Sequence, residues 1–188
     1  MDVVIVAGYP GRFNRMPAVI AWAQRFTDAG LHAVTYANED PAADFLGVLR
    51  SLDSPPVALF ACSGNVPVAL SALMAESPFE IACAVFLYPY TFDCDDAAKA
   101  FGFANPVAGR SVADLKPDVP MLVVRSGRDE CPRLNTILDQ FIAESLARNL
   151  PLTVLNLPDA GHAFDVGEET ELVGRVAGEV IRFVEARS

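Results

Sequence analysis

Three residues in this chain have the types and the setting for acyl-transfer chemistry: Ser63, Asp129 and His162. Ser63 lies in Val57-Ala-Leu-Phe-Ala-Cys-Ser-Gly-Asn-Val-Pro-Val-Ala-Leu-Ser-Ala-Leu-Met74, which reads as a buried strand, an abrupt turn and an apolar helix. A serine at such a turn stands clear of the sheet beside a helix N-terminus, as a nucleophilic hydroxyl requires. Asp129 ends Ser126-Gly-Arg-Asp129, and His162 ends Asp159-Ala-Gly-His162; each segment follows another apolar strand. Serine, acid and histidine in this chain order can form a nucleophile, a general base and an orienting carboxylate.

Each residue also has a simpler reading. Ser63 could only cap the helix beginning near Asn65. Asp129 could be an ordinary turn aspartate, and Glu130 competes with it for the acid role. His162 is favoured as base over His32, which opens a strand and so falls on the opposite edge of a sheet. Cys62 precedes Ser63, but one side chain projects from a turn apex, and Gly64 after Ser63 favours the serine. Backbone N–H groups of Gly64 and of Tyr9, in the loop after the first strand, are expected to hold the oxyanion. Arg12, Arg15, Arg125 and Arg128 could form a carboxylate-binding corner, although loop arginines are mostly solvated surface.

The elements that must position these residues alternate strictly. Strands are expected at Asp2–Ala7, His32–Ala37, Val57–Cys62, Ile81–Tyr88, Pro120–Arg125 and Leu152–Leu157. Between them, helices are expected at Pro17–Ala29, Asp44–Leu52, Asn65–Glu76, Arg133–Asn149 and Leu172–Arg187. The first helix carries Val19, Ile20, Ala23 and Phe26 on one face; Ser54-Pro-Pro56 stops the second. The fourth carries Leu134, Ile137, Leu138, Phe141, Ile142 and Leu146. Alternation of this kind gives an α/β fold, a three-layer α/β/α sandwich around a parallel sheet. Right-handed crossovers then point all strand C-terminal ends one way, so Ser63, Asp129 and His162 reach one side of the molecule.

Thr91–Asp118 is irregular and reads as a cap-like loop (91–118) with a short helix near Asp95–Ala100. A connection of that length is usually functional. Tyr9, Phe92, Phe101, Phe103 and Phe164, with Gly8 in the first loop, are expected to line the substrate pocket.

Length and composition narrow the function. The 188 residues, 52% of them apolar, make one domain over 1–188 with a substantial core. The net charge of -10 argues against a phosphate-backbone partner and an anionic membrane surface, while leaving room for a local cationic pocket. No apolar run approaches the roughly 20 residues of a membrane span. The N-terminus lacks the basic region of a secretory signal. Cys62, Cys83, Cys94 and Cys131 form no Cys-x-x-Cys pair, which fits a reducing cytoplasmic setting and no metal site.

These segments resemble the α/β-hydrolase superfamily, and within it the small dienelactone-hydrolase-like esterases. The resemblance rests on Ala61-Cys-Ser-Gly-Asn65, Leu122-Val-Val-Arg-Ser-Gly-Arg-Asp129 and Gly161-His-Ala-Phe164, and spans essentially the whole chain. It implies a minimal version of that fold, with a six-stranded sheet in the order 2-1-3-4-5-6. It implies hydrolysis of small esters or lactones by a cofactor-free acyl-enzyme route on Ser63, with His162 and Asp129. Two departures stand out. Dienelactone hydrolases use cysteine where this chain has Ser63, so lactone specificity is not inherited. Asn65 stands where the Gly-x-Ser-x-Gly pattern has glycine, and its bulk motivates the alternative of a weak or inactive binding protein. The sheet edge near His32–Ala37 calls for cover, and a homodimer is one way to supply it.

Overall fold

The computed structural model describes residues 1–53, 55–167 and 169–188. The strands are β1 (Asp2–Ile5), β2 (His32–Val34), β3 (Val57–Cys62), β4 (Ile81–Leu87), β5 (Met121–Ser126) and β6 (Leu152–Leu157). The helices are α1 (Pro17–Asp28), α2 (Pro41–Ser51), α3 (Val66–Ala72), α4 (Asp95–Phe101), α5 (Leu134–Ala147) and α6 (Glu171–Glu185). The strands form one parallel sheet in the order β2-β1-β3-β4-β5-β6, as expected.

Strand side chains alternate between two apolar layers. Val4, Leu59, Ala84 and Val123 face one layer, with Phe45 of α2, Leu70 of α3 and Leu138 of α5. Val3, Ile5, Phe60, Val85 and Val124 face the other, with Trp22 and Phe26 of α1 and Val176, Val180 and Val184 of α6. Burial on both faces explains why β1, β3 and β4 read as unbroken apolar runs.

Several boundaries move, each for a visible reason. β2 ends at Val34 rather than Ala37, because the chain leaves the sheet to set the Tyr36 hydroxyl against the Ala7 N–H at 3.0 Å. α2 begins three residues early: Asp40 caps it, accepting from the Ala43 N–H at 3.1 Å, with Pro41 in the first turn. α3 stops at Ala72 instead of Glu76, because Met74 bridges to Leu115 and the Ala75 N–H donates to the Asp114 carbonyl at 2.7 Å. In α1, Trp22 is buried and Ile20 is 55% exposed, so the inward stripe is Val19, Trp22 and Phe26. In α5, Leu146 faces out and Ser145 is buried. Ser54, part of the expected stop after α2, lies outside the described residues.

The 91–118 segment divides in two. Val107, Val112 and Leu115 bury into the core layer over α3 and α5, while the end of α4 and Phe103 overhang the C-terminal edge of the sheet. Gly102 closes α4 in the left-handed conformation, its N–H donating to the Ala98 carbonyl at 2.7 Å. Among the described residues no helix is long and apolar enough to cross a membrane.

Candidate active site

β3 runs extended to Cys62, and the chain then reverses at Ser63 with φ of 53°. A non-glycine residue in that region costs of order 1–2 kcal/mol, which must be offset elsewhere. Here α3 supplies the offset, because Val66, Val68, Ala69, Leu70 and Ala72 are all wholly buried. The turn places the Ser63 Oγ 2.9 Å from His162 Nε2. His162 Nδ1 lies 2.7 Å from Asp129 Oδ2. The tautomer that satisfies both contacts carries its proton on Nδ1, which donates to Asp129, and leaves Nε2 to accept from the hydroxyl.

Asp129 and His162 meet because the loops after β5 and β6 run side by side. The Gly127 N–H donates to the Leu157 carbonyl at 2.8 Å, and the Arg128 N–H to the Ala160 carbonyl at 2.9 Å. A β-carbon on Gly127 would lie 2.4 Å from the Pro158 carbonyl oxygen, so this approach requires glycine. The Asp129 side chain is fully buried, and that of His162 is 23% exposed. Burial pushes the Asp129 carboxyl up. The hydrogen bond from His162 and the one from the Cys131 N–H, at 2.9 Å, more than offset it and hold the carboxyl below its ordinary value. Glu130 is exposed and, among the described residues, makes no hydrogen bond to His162. His32 sits at the far edge of the sheet, 2.9 Å from Asp2. The Cys62 thiol is pushed well above its ordinary value by burial and by the nearby Asp165.

Asn65 does not crowd the turn. Its Oδ1 accepts from the Gly8 N–H at 2.7 Å and its Nδ2 donates to the Cys62 carbonyl at 2.9 Å. Room for it comes from the opposite side: a β-carbon on Gly8 would lie 2.8 Å from the Asn65 Cα. Asn65 thus clamps the loop after β1 to the serine turn. Asn38 Nδ2 donates to the Tyr9 carbonyl at 2.8 Å, and the Ala104 N–H to the Gly8 carbonyl at 2.7 Å, which fix the same loop. Among the described residues, neither the Tyr9 N–H nor the Gly64 N–H donates to a protein acceptor.

A cavity of about 570 Å³ opens beside Ser63 and His162. Tyr9, Phe101 and Phe103 line it, together with Phe13, Trp22 and Phe60. Three expected lining residues do not. Phe92 is buried against Phe141 of α5, at 5.9 Å between rings, because its segment packs into the other core layer. Phe164 turns behind the histidine loop against Tyr88, at 5.7 Å. Gly8 spends its N–H on Asn65 and has no side chain to present. Nor do the four arginines form a corner: Arg125 pairs with Asp139, Arg128 with Asp159, and none of the four lines the cavity. Asp129, Cys131 and His162 bring one donor atom each within 4.8 Å of one another, although carboxylate and imidazole are already engaged with each other.

A further group at this site was missed in reading the sequence. Asp165, 5% exposed, accepts from Trp22 Nε1 at 2.6 Å and from the Tyr88 hydroxyl. The Tyr88 ring meets His162 edge-on at 4.7 Å. This cluster anchors the loop that carries His162. The signal available was a lone tryptophan at helical spacing from Val19 and Phe26.

No protein-family model matches the chain, and no curated protein matches it in sequence. Its shape is widely shared. A carboxyl esterase of the fungus Tuber melanosporum superposes with a TM-score of 0.68 at 14% identity, over 100% of this chain and 79% of that one. An esterase of Pyrococcus furiosus gives 0.70 at 14% identity, over 99% and 82%. A thermophilic esterase of Thermogutta terrifontis, solved with propionate bound, gives 0.69 at 15% identity, over 97% and 81%. With the strand order, the serine turn and these superpositions together, the chain has the α/β-hydrolase fold.

Proposed function

We propose that this protein is a serine hydrolase of small carboxylic esters, acting through an acyl-enzyme on Ser63. The observation that carries the reading is the unbroken hydrogen-bonded chain from Ser63 through His162 to Asp129. The esterase neighbours support the same class of reaction.

In acylation, the Ser63 Oγ bonds to the ester carbonyl carbon while His162 Nε2 takes the hydroxyl proton. The carbonyl oxygen becomes an oxyanion facing the Gly64 and Tyr9 N–H groups; losing one such donor costs about 3 kcal/mol of barrier. Collapse breaks the bond to the alcohol oxygen, which leaves with the proton from His162. Water then repeats the sequence on the acyl-serine, releasing the carboxylic acid and restoring the Ser63 proton. Asp129 keeps the imidazole in the required tautomer and balances its charge when it is doubly protonated. An apolar cavity of this size suits a short acyl or aryl group.

The test is labelling with a fluorophosphonate, followed by peptide mapping. A single adduct on Ser63 is expected, and none in Ser63→Ala. A folded protein that takes no adduct, or ester turnover unchanged in Ser63→Ala, would leave the non-catalytic binding protein as the better reading.

A further inference from the structure

The catalytic reading gives one buried carboxyl of the cavity no chemical step, although that residue also anchors the histidine loop. Asp165 lines the cavity wall and is almost wholly buried. Its partners there, the Trp22 indole and the Tyr88 hydroxyl, are neutral donors. An indole N–H can only donate. The Tyr88 phenol keeps its proton, because burial and then the neighbouring Cys62 and Asp165 raise it well above its ordinary value. Two donors aimed at two oxygens fit the carboxylate form. They engage one lone pair on each oxygen and bring no positive charge to the carboxylate.

Among the described residues, nothing else in the cavity wall cancels the charge of that carboxylate. Among the described residues no lysine or arginine lines the cavity. Arg25 lies 5.1 Å from the Trp22 ring centroid, but it is paired with Glu169, and neither residue reaches the cavity. His162 faces Ser63 and Asp129. The remaining wall is mostly apolar and includes the rings of Tyr9, Phe13, Trp22, Phe60, Tyr88 and Phe103. Aromatic faces attract cations and repel anions, and more strongly where water is excluded. A carboxylate on a substrate would lose its hydration here and meet no compensating charge.

We propose that the cavity selects esters bearing an ammonium group over neutral and carboxylate-bearing ones, with Asp165 as the specificity-determining residue. This rests on the ester-hydrolase reading and names the substrate class of the same site. It also departs from what a carboxylate-binding corner of arginines would have selected.

Matched esters test it. The 2-(trimethylammonio)ethyl, 3,3-dimethylbutyl and 3-carboxypropyl esters of acetate place a cation, an isosteric neutral group and an anion on the alcohol. A second series places the same groups on the acyl side. In at least one series, kcat/KM is expected to favour the cationic member over the neutral one by about tenfold. The carboxylate member should fall below the neutral one in that series. Asp165→Asn should bring the cation-to-neutral ratio close to one. That ratio is taken within one variant, so a general loss of activity cancels. Should the variant fail to fold, tetramethylammonium should inhibit wild-type hydrolysis of the neutral ester competitively. A wild-type ratio at or below one in both series overturns the proposal, as does a ratio unchanged in Asp165→Asn or tetramethylammonium without competitive effect. Failure to hydrolyse any of the esters, with no adduct at Ser63, removes the catalytic reading and the proposal with it. That outcome is distinct from turnover without charge preference.

Discussion

Asp129 and Glu130 are adjacent acids with different surroundings. Asp129 is buried, accepts from His162 and the Cys131 N–H, and is held below its ordinary value; Glu130 is exposed. Asp129→Asn keeps the shape but offers an amide where Nδ1–H needs an acceptor, which stabilises the wrong imidazole tautomer. Its kcat is expected to fall by about four orders of magnitude. Glu130→Gln should stay near wild type. Ester hydrolysis kinetics of the two variants check this, and comparable losses in both would contradict the assignment. The residue types alone left the two acids as rivals. Their separation comes from the paired loops after β5 and β6, which bring Asp129 to His162 Nδ1 and leave Glu130 exposed.

Among the elements, the loop after β6 has the hardest task, because it holds a histidine without regular structure of its own. It is tied to α1 and to the residue that follows β4 through Asp165, Trp22 and Tyr88. Trp22→Phe keeps most of the ring and removes one donor. The carboxylate oxygen then lies buried without that partner, at a cost of about 1–3 kcal/mol. Urea denaturation should register the loss, and amide exchange over 160–167 should accelerate relative to β3 and β4. Unchanged exchange in the loop would mean that it is anchored by other contacts. Most elements were legible in the sequence: the bounds of β3 and β6 match the expectation, and the ends of β5, α4 and α6 shift by one or two residues. Apolar runs and helical spacing are local properties, which any short window of sequence displays. The inward face of α1 was not legible to the same degree, because Ile20 and Trp22 are both apolar. The choice between them depends on Asp165, more than a hundred residues away.

At the scale of the molecule, the fold raises all four thiols above their ordinary value, which keeps them protonated. Burial raises Cys83 and Cys94 to about 12, and it raises Cys62 and Cys131 as well. Iodoacetamide at neutral pH should therefore leave the native protein's ester turnover intact over a time in which unfolded chain is alkylated fully. Rapid inactivation, with the label on Cys62, would revive the thiol as the nucleophile. The expected strand order holds, because alternation of strand and helix and a fixed crossover hand leave few other arrangements.

The chain by itself determined the layers, the sheet order and the three segments that reach one edge, since each follows from local pattern and chirality. Tertiary structure alone decided how that edge is furnished. It set Asn65 as a clamp on Gly8, withdrew Phe92 and Phe164 from the cavity, committed Arg125 and Arg128 to surface partners, and put the buried Asp165 between the Trp22 indole and the Tyr88 hydroxyl. These outcomes depend on distances between residues far apart along the chain, and such distances exist only once the whole sheet has closed its two apolar layers.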